Sequence, residues 1–346
     1  MDLLEVLPGV EATIMSRIPF PQDVLHGSGV VFETIALPNW LLRLPPYLRD
    51  LLEEVFWVIA IIKMARRSKS QLIHLNNGVS YNLSGLIAAR ILQLPVVVHQ
   101  RGWEQKRKRL SLAKRFLRSW PVLAISDAVL ENLKEQLGAD VNAQTVYDVV
   151  RHPSKRYARH DHRLAVGMHG MITPWKGQQI LVEAAALLRE YGTQPIIYRI
   201  AGLPVSGSEP FLQELKAQIV TLGLDKQFEF VGLVGDIYEF LNNIDISVHA
   251  SIDPEPLGRV IVEAQLAAVP IIASRAGGAI ELIAEGEGLF FSPKSAQELA
   301  ARIHELASST ALRNHLGAGG QQAARRRFNS DQLMIGVQSV YSQILL

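Results

Sequence analysis

The feature that most constrains this chain is a strand–helix alternation that runs twice and is broken once by a polar stretch. Short apolar runs read as strands at 12–15, 30–35, 72–75, 96–99, 122–125 and near 145–149, with helical patterns at 48–65, 83–92, 110–117 and 128–136. The sequence RHPSKRYARHDHR, residues 151–163, has almost no apolar content and reads as a linker or exposed hinge. The alternation then restarts, with strands at 164–169, 196–201, 228–231, 244–248, 271–273 and 289–291, and helices at 178–191, 210–222, 237–242, 259–268 and 296–307. Such alternation is the mark of parallel sheets with crossover helices. It predicts two doubly wound, Rossmann-like α/β domains facing a cleft. The N-terminal domain spans 1–150, the C-terminal domain 164–328, and residues 329–346 form a helix returning to the first domain.

A chain of 346 residues suits two cores of this size. With no cysteine, disulfides and thiolate metal sites are excluded. Met1 is followed by Asp2 and Glu5 rather than a basic, apolar leader, and the most apolar run, residues 55–62, falls short of the ~20 residues that span a bilayer. A cytoplasmic protein is expected, with at most a surface contact to the inner face of the cytoplasmic membrane. Charge is unevenly spread. Residues 1–160 hold 21 Lys and Arg against 14 Asp and Glu, a net +7, whereas residues 161–346 hold 14 against 19, a net −5. The first half therefore suits an anionic partner better than the second.

The stretch PEPLGRVIVEA, residues 254–264, concentrates the chemistry. Pro254 and Pro256 bracket Glu255 in an extended turn, and Pro256 suits the first position of a helix. Gly258 admits close backbone approach, and the following helix start offers free N–H groups and a positive dipole end to a phosphate. Glu263 lies roughly 8 Å further along the axis at ~1.5 Å per residue. A sugar nucleotide, with a diphosphate between two hydroxyl-bearing ends, fits two carboxylates so spaced. On the residues alone a plainer arrangement is open too, with Glu255 capping the helix and Glu263 paired to Arg259. In GMITPWKGQ, residues 170–178, Lys176 sits at a strand-to-helix turn, placed either to neutralise a diphosphate or to be solvated.

These segments resemble the E-P-x-G-x-x-x-x-E-A signature of retaining glycosyltransferases of family 4, which have the GT-B fold. The flanks NIDISVHAS (243–251), PIIASRAGGAIE (270–281) and EGEGLFFSP (285–293) are similar to the family's surrounding strands and loops. The resemblance implies that Glu255 touches donor-sugar hydroxyls and Glu263 holds the ribose. Backbone groups of Pro256, Leu257, Gly258 and Arg259 would meet sugar and phosphate, and Val231, Gly232 and Leu233 would line the base pocket. It also places Gly170, Met171, Lys176 and Gly177 at the diphosphate. Met171 stands where the family has an arginine, a loss of bidentate phosphate bonding that Arg259 or Arg275 would have to replace. No Asp-x-Asp is present, so no metal is expected and cationic side chains take its place. No cofactor is implied beyond the nucleotide-diphosphate sugar itself.

In the first domain, LPVVVHQRGW (94–103) carries Arg101 and Gly102 where many relatives have a histidine–glycine pair, with His99 on the same strand face as Arg101. Arg101 and His99 join Glu255 and Lys176 as the catalytic candidates, either of them meeting acceptor or donor, with a structural strand-end histidine equally open; Asn76 and Asn77 of HLNNG (74–78), Arg101 and Gly102 are the acceptor-side candidates. From Arg101 to Arg118 there are eight basic residues and one acid, with aromatics interleaved. A solvated helix face and an anionic lipid or lipid-diphosphate partner are both open there, and nothing else in the chain suggests nucleic acid. Family members open with a strand and a glycine-rich loop. The opening MDLLEVLPGVEATIM reads instead as the end of a first helix and a second strand, which suggests a truncated start. The expected activity is metal-independent transfer of a hexose, with retention, to a glycan or lipid-linked acceptor in envelope-glycan assembly. A non-catalytic nucleotide-binding relative and a nucleotide-sugar epimerase are the alternatives.

Overall fold

The structure, a computed structural model, describes residues 10–16, 30–105, 108–117, 120–155, 160–161, 163–190 and 195–345. The chain divides into two compact units, Met1–Val149 with Ser330–Leu346, and Val150–Asn329.

In chain order the first unit holds β1 (Thr13–Ser16), β2 (Val31–Thr34), α1 (Asn39–Leu42), α2 (Pro46–Arg67), β3 (Ile73–Asn76), α3 (Leu83–Leu92), β4 (Val96–Gln100), α4 (Lys108–Leu117), β5 (Val122–Ala124), α5 (Asp127–Leu137) and β6 (Ala143–Thr145). Strands β3-β4-β5-β6 form one parallel sheet in that order. Each residue of β4 is buried, as expected of a strand covered on both faces. The strand foreseen near 145–149 lies earlier, at β6, because Val146 and Val149 pack as a loop against the core instead of extending the ladder. Among the described residues, β1 and β2 pair with each other and not with the four-stranded sheet. Residues 1–9, part of the opening segment discussed above, lie outside the described residues.

Helix α2 starts with a proline at its first turn and ends on Arg66 and Arg67, both favourable for the helix dipole, and it buries Trp57, Ile61 and Ala65 one turn apart. Ser126 caps α5 by accepting from the Val129 amide at 3.1 Å.

The second unit runs β7 (Ala165–His169), α6 (Gln178–Glu190), β8 (Ile197–Ala201), α7 (Glu209–Thr221), β9 (Phe228–Gly232), α8 (Ile237–Asn242), β10 (Ile246–His249), α9 (Arg259–Leu266), β11 (Ile271–Ser274), α10 (Ala279–Leu282), β12 (Leu289–Phe291), α11 (Ala296–Ser308) and α12 (Thr310–Arg327). All neighbouring strands are parallel, in the order β12-β11-β10-β7-β8-β9. The order reverses between β7 and β10, and ligands of open α/β sheets bind beyond the carboxyl ends of strands at such a switch point. Of the expected hinge, His160 and Asp161 are pinned to this unit. The His160 amide donates to Asn243 Oδ1 at 2.9 Å, and Asp161 pairs with Arg163 and Arg199. The last helix, α13 (Ser330–Ile344), belongs to the first unit, where Leu333, Val337 and Val340 pack with Val97, Leu123 and Val146.

Candidate functional site

Strands β7 and β10 each end on a histidine, and both histidines meet a carboxylate from the 254–264 segment. His169, closing β7, lies 3.0 Å from Glu263 Oε2 through its Nε2. His249, closing β10, lies 2.8 Å from Glu255 Oε1 through its Nε2. Lys176 Nζ donates to the same Glu255 oxygen at 2.7 Å, and the Ser251 hydroxyl donates to it as well. Oε1 is thus enclosed by three donors, while Oε2 has no partner among the described residues. Burial pushes the Glu255 carboxyl upward. The hydrogen bond from His249, with the charges of His249 and Lys176, outweighs it and leaves the pKa at about 2. Glu255 is therefore a fixed carboxylate at neutral pH: it accepts hydrogen bonds and does not deliver protons.

The backbone is as tightly held as the side chain. The Gly278 amide donates to the Glu255 carbonyl at 2.8 Å, and Glu255 forms an isolated bridge with Gly277. Lys176 ends a 3-10 turn, Pro174–Lys176, whose following Gly177 has φ +80°. A Cβ there would lie 2.0 Å from the Ala250 carbonyl oxygen. Only glycine lets the lysine turn come this close to the end of β10. The Lys176 ammonium also lies 4.3 Å from the Trp175 ring centroid.

Helix α9 begins at Arg259, with Gly258 as N-cap at φ 90° and no side-chain cap. Pro256 thus lies ahead of the helix, not at its first position. The αL turn at Gly258 takes the chain into the helix from a loop tied to Gly277 and Gly278. Nor does Glu255 cap the helix, since its side chain is drawn to Lys176, His249 and Ser251. The pairing of Glu263 with Arg259 is likewise replaced by His169. The first amides of α9 are left without a side-chain partner beside the Glu255–Lys176 pair, the arrangement that receives an anion.

Around this centre, Gly170 follows β7 at φ +130°, and its amide donates to the Ala201 carbonyl at 3.0 Å. Met171 is 48% exposed, with its carbonyl accepting from Gln178 Nε2 at 2.9 Å. Val231 and Gly232 end β9, and Leu233 beyond it is 79% exposed. Leu257 is buried. Arg275 stacks on Phe290, 4.3 Å from the ring centroid, in an open groove of about 410 Å³ beside α10.

In the first unit, Arg101 Nε donates to Asn76 Oδ1 at 2.6 Å, and Nη1 pairs with Asp148. His99 is fully buried, its Nε2 3.7 Å from Asp148 Oδ1, too far for a hydrogen bond. Gln100 Nε2 donates to the Gly102 carbonyl at 2.8 Å, and Asn77 sits at φ 77°. On α4, Arg109 pairs with Glu54, and Lys114 donates to the Leu137 carbonyl, so two of the run's cations are committed to the protein. Lys106, Arg107 and Arg118 of that run lie outside the described residues. Among the described residues no helix is long and apolar enough to cross a membrane.

Sequence reasoning missed His169, His249, Ser251 and Asp148. A signal existed for the middle two, because HASIDPE places them six and four residues before Glu255.

Residues 154–323 match the family described as Glycosyl transferases group 1. The chain is 27% identical over 245 residues to spore coat protein SA of Bacillus subtilis, covering 64% of each protein. It is 25% identical over 181 residues to the capsular polysaccharide biosynthesis glycosyltransferase CapM of Staphylococcus aureus, covering 52% of this chain and 46% of that one. The matches thus span less than two thirds of these relatives' own lengths. Among solved structures, Anabaena HepE in complex with UDP is similar at 26% identity and a TM-score of 0.77, covering 93% of this chain and 89% of HepE.

Proposed function

We propose, from the match of residues 154–323 to the glycosyl transferases group 1 family, that the protein transfers a hexose from a uridine-diphosphate sugar to a hydroxyl of an envelope-glycan acceptor. The fold is GT-B, the class to which its structural neighbours belong. One observation carries the proposal: Glu255 Oε1 is gathered by Lys176, His249 and Ser251 beside the uncapped start of α9, at the switch point of the sheet. The diphosphate lies on the first amides of α9 with Lys176 beside it, and Oε2 of Glu255 accepts from donor-sugar hydroxyls. Glu263, oriented by His169, takes the ribose hydroxyls, and the base lies over Val231–Leu233.

In the reaction the bond from the anomeric carbon to the diphosphate oxygen breaks, and its electron pair leaves with the phosphate. The acceptor hydroxyl oxygen forms the new bond, and its proton passes to the departing diphosphate. The charge that builds on the leaving group meets Lys176 and the helix dipole, groups already in place before the step. Transfer proceeds with retention and without a metal in this reading, which rests on the family signature and on that local cation. UDP as the donor nucleotide is supported by the likeness to HepE, and the envelope-glycan acceptor by the likeness to CapM.

The test is calorimetry with UDP and turnover of UDP-glucose by the wild type, Glu255→Gln and Lys176→Ala. Lys176→Ala should weaken UDP binding by about tenfold or more, and Glu255→Gln should lower turnover far more than UDP affinity. Equal behaviour of all three proteins sinks the site assignment. The exposed Met171, in place of an arginine, favours one second reading, a nucleotide-binding relative without turnover. Tight UDP binding with no product from any acceptor would establish it.

A further inference from the structure

Helix α2 contains the most apolar run of the chain, residues 55–62, and that run is not wholly inside the protein. Trp57, Ile61 and Ala65 turn inward. Tyr47, Leu48, Leu51, Val55 and Ile59 turn outward, each between 38% and 73% exposed. From Leu48 to Ile59 the exposed side chains recur at helical spacing, so they lie in one stripe along the helix. The stripe runs roughly 17 Å at ~1.5 Å per residue. Just before it, α1 exposes Trp40 and Leu42. A surface helix normally turns charged side chains outward, and a contiguous exposed apolar patch marks a contact surface.

The charges of α2 say what that surface meets. Glu53 accepts from Trp57 Nε1 at 3.3 Å, Glu54 pairs with Arg109, and Asp50 lies 4.0 Å from Arg49. The acids of the helix are thus matched within the protein. Arg67 pairs with Glu33, whereas Lys63 and Arg66 are exposed and have no ion-pair partner among the described residues. Lys63 stands one turn beyond Ile59 and Arg66 two turns beyond it, so the apolar stripe runs on into cations. With Trp40 and Tyr47 at its other end, this pattern fits the boundary between anionic headgroups and acyl chains. The charges spread from Arg49 to Arg67 suit a helix lying in that boundary and not one crossing it. A second copy of the chain fits less well. A stripe about 10 Å wide offers roughly 200 Å², against the ~800 Å² per partner of a stable interface.

We propose that α2 rests on an anionic lipid surface, with Leu48, Leu51, Val55 and Ile59 among the acyl chains and Lys63 and Arg66 on the headgroups. The inference goes beyond sugar transfer and does not depend on the donor site.

The experiment is vesicle sedimentation of the full chain, with phosphatidylcholine alone and with phosphatidylcholine carrying phosphatidylglycerol. Leu51→Ser/Val55→Ser/Ile59→Ser removes the stripe, and Lys63→Gln/Arg66→Gln removes the cations. The wild type should bind the anionic vesicles about tenfold or more tighter than the neutral ones. The triple substitution should weaken binding to anionic vesicles by about tenfold or more, and the double substitution by about tenfold. Melting temperature and UDP affinity should stay near those of the wild type, because the replaced side chains are exposed and none belongs to the donor site. Should the triple variant fail to fold, Val55→Asp alone gives the same readout. Adsorption through the basic run 101–118 alone would bind wild type and triple variant equally, and that equality overturns the proposal. Wild-type binding that is absent, or the same with and without phosphatidylglycerol, overturns it too. A wild-type dimer in light scattering that the triple substitution disperses would make a second copy the occupant and overturn it as well.

Discussion

Replacing Glu255 by glutamine should change how unfolding of the second unit depends on pH, and the size follows from the three donors on Oε1. The folded pKa of about 2 against an ordinary 4.5 makes Glu255 a depressed carboxylate. Its contribution is fully present above about pH 4.5 and is lost as pH falls through the folded value. At neutral pH the shift corresponds to about 3 kcal/mol of stability. By linkage about 1.4 kcal/mol of this is gone at pH 3.5 and about 2 kcal/mol at pH 3.0. Glutamine has no such term. The stability gap between wild type and Glu255→Gln should therefore narrow by about 2 kcal/mol between pH 7 and pH 3, whatever the gap is at neutrality.

The assay must read the second unit alone, because a two-unit protein need not unfold in one step. Trp175 is the one tryptophan of the five that lies in Val150–Asn329. Fluorotryptophan labelling, with the resonance identified by Trp175→Phe, gives a fluorine signal that reports urea unfolding of this unit. A gap constant to within about 0.5 kcal/mol across that range would mean that the donors around Oε1 do not hold the carboxylate ionised. A gap that widens with acid would mean that burial outweighs them, and Glu255 would then be a proton donor.

Three further outcomes are expected. Gly177→Ala, forced to φ +80° with its Cβ 2.0 Å from the Ala250 carbonyl oxygen, should lower the second unit's stability by at least about 2 kcal/mol in the same fluorine assay. His169→Ala should weaken UDP about tenfold in calorimetry and leave pyrophosphate binding unchanged, since the histidine orients Glu263 and not the phosphate cradle; equal loss for both ligands would place His169 elsewhere. Met171→Arg should tighten UDP about tenfold, with a steeper salt dependence, if the exposed residue after Gly170 faces the diphosphate; no change would show that it does not.

The sheets and most helices were legible because their apolar runs are short, regular and bounded, and the ends of α3, α8 and β12 fall where the pattern places them. Helix α12 was not legible. It packs through Gly317, Gly320, Ala323 and Ala324 with Leu316 as its one buried large apolar side chain, and a Cβ on Gly317 would lie 2.3 Å from the Ala268 carbonyl oxygen. Close backbone approach through small residues leaves no stripe of large apolar side chains to find. The partners of Glu255 were half legible for a reason of distance. Ser251 and His249 stand four and six residues from Glu255, inside one strand-loop unit, whereas Lys176 is 79 residues away and was found only because a turn motif marked it.

Distance along the chain also explains the first unit. Asp148 is 47 residues from Arg101, and Tyr341 is 267 residues from His74, in a helix supplied from beyond the second unit. No local spacing encodes either contact, so the sequence shows a basic run starting at Arg101 and suggests an anionic partner there. Folding sets Asp148 against Arg101 at the strand edge, while Arg109 and Lys114 are turned to other partners. Around Glu255 folding does the opposite, gathering donors and a helix start about a single carboxylate. The two sheet edges thus differ in kind: at one a carboxylate is set among donors, and at the other a guanidinium is set against a carboxylate.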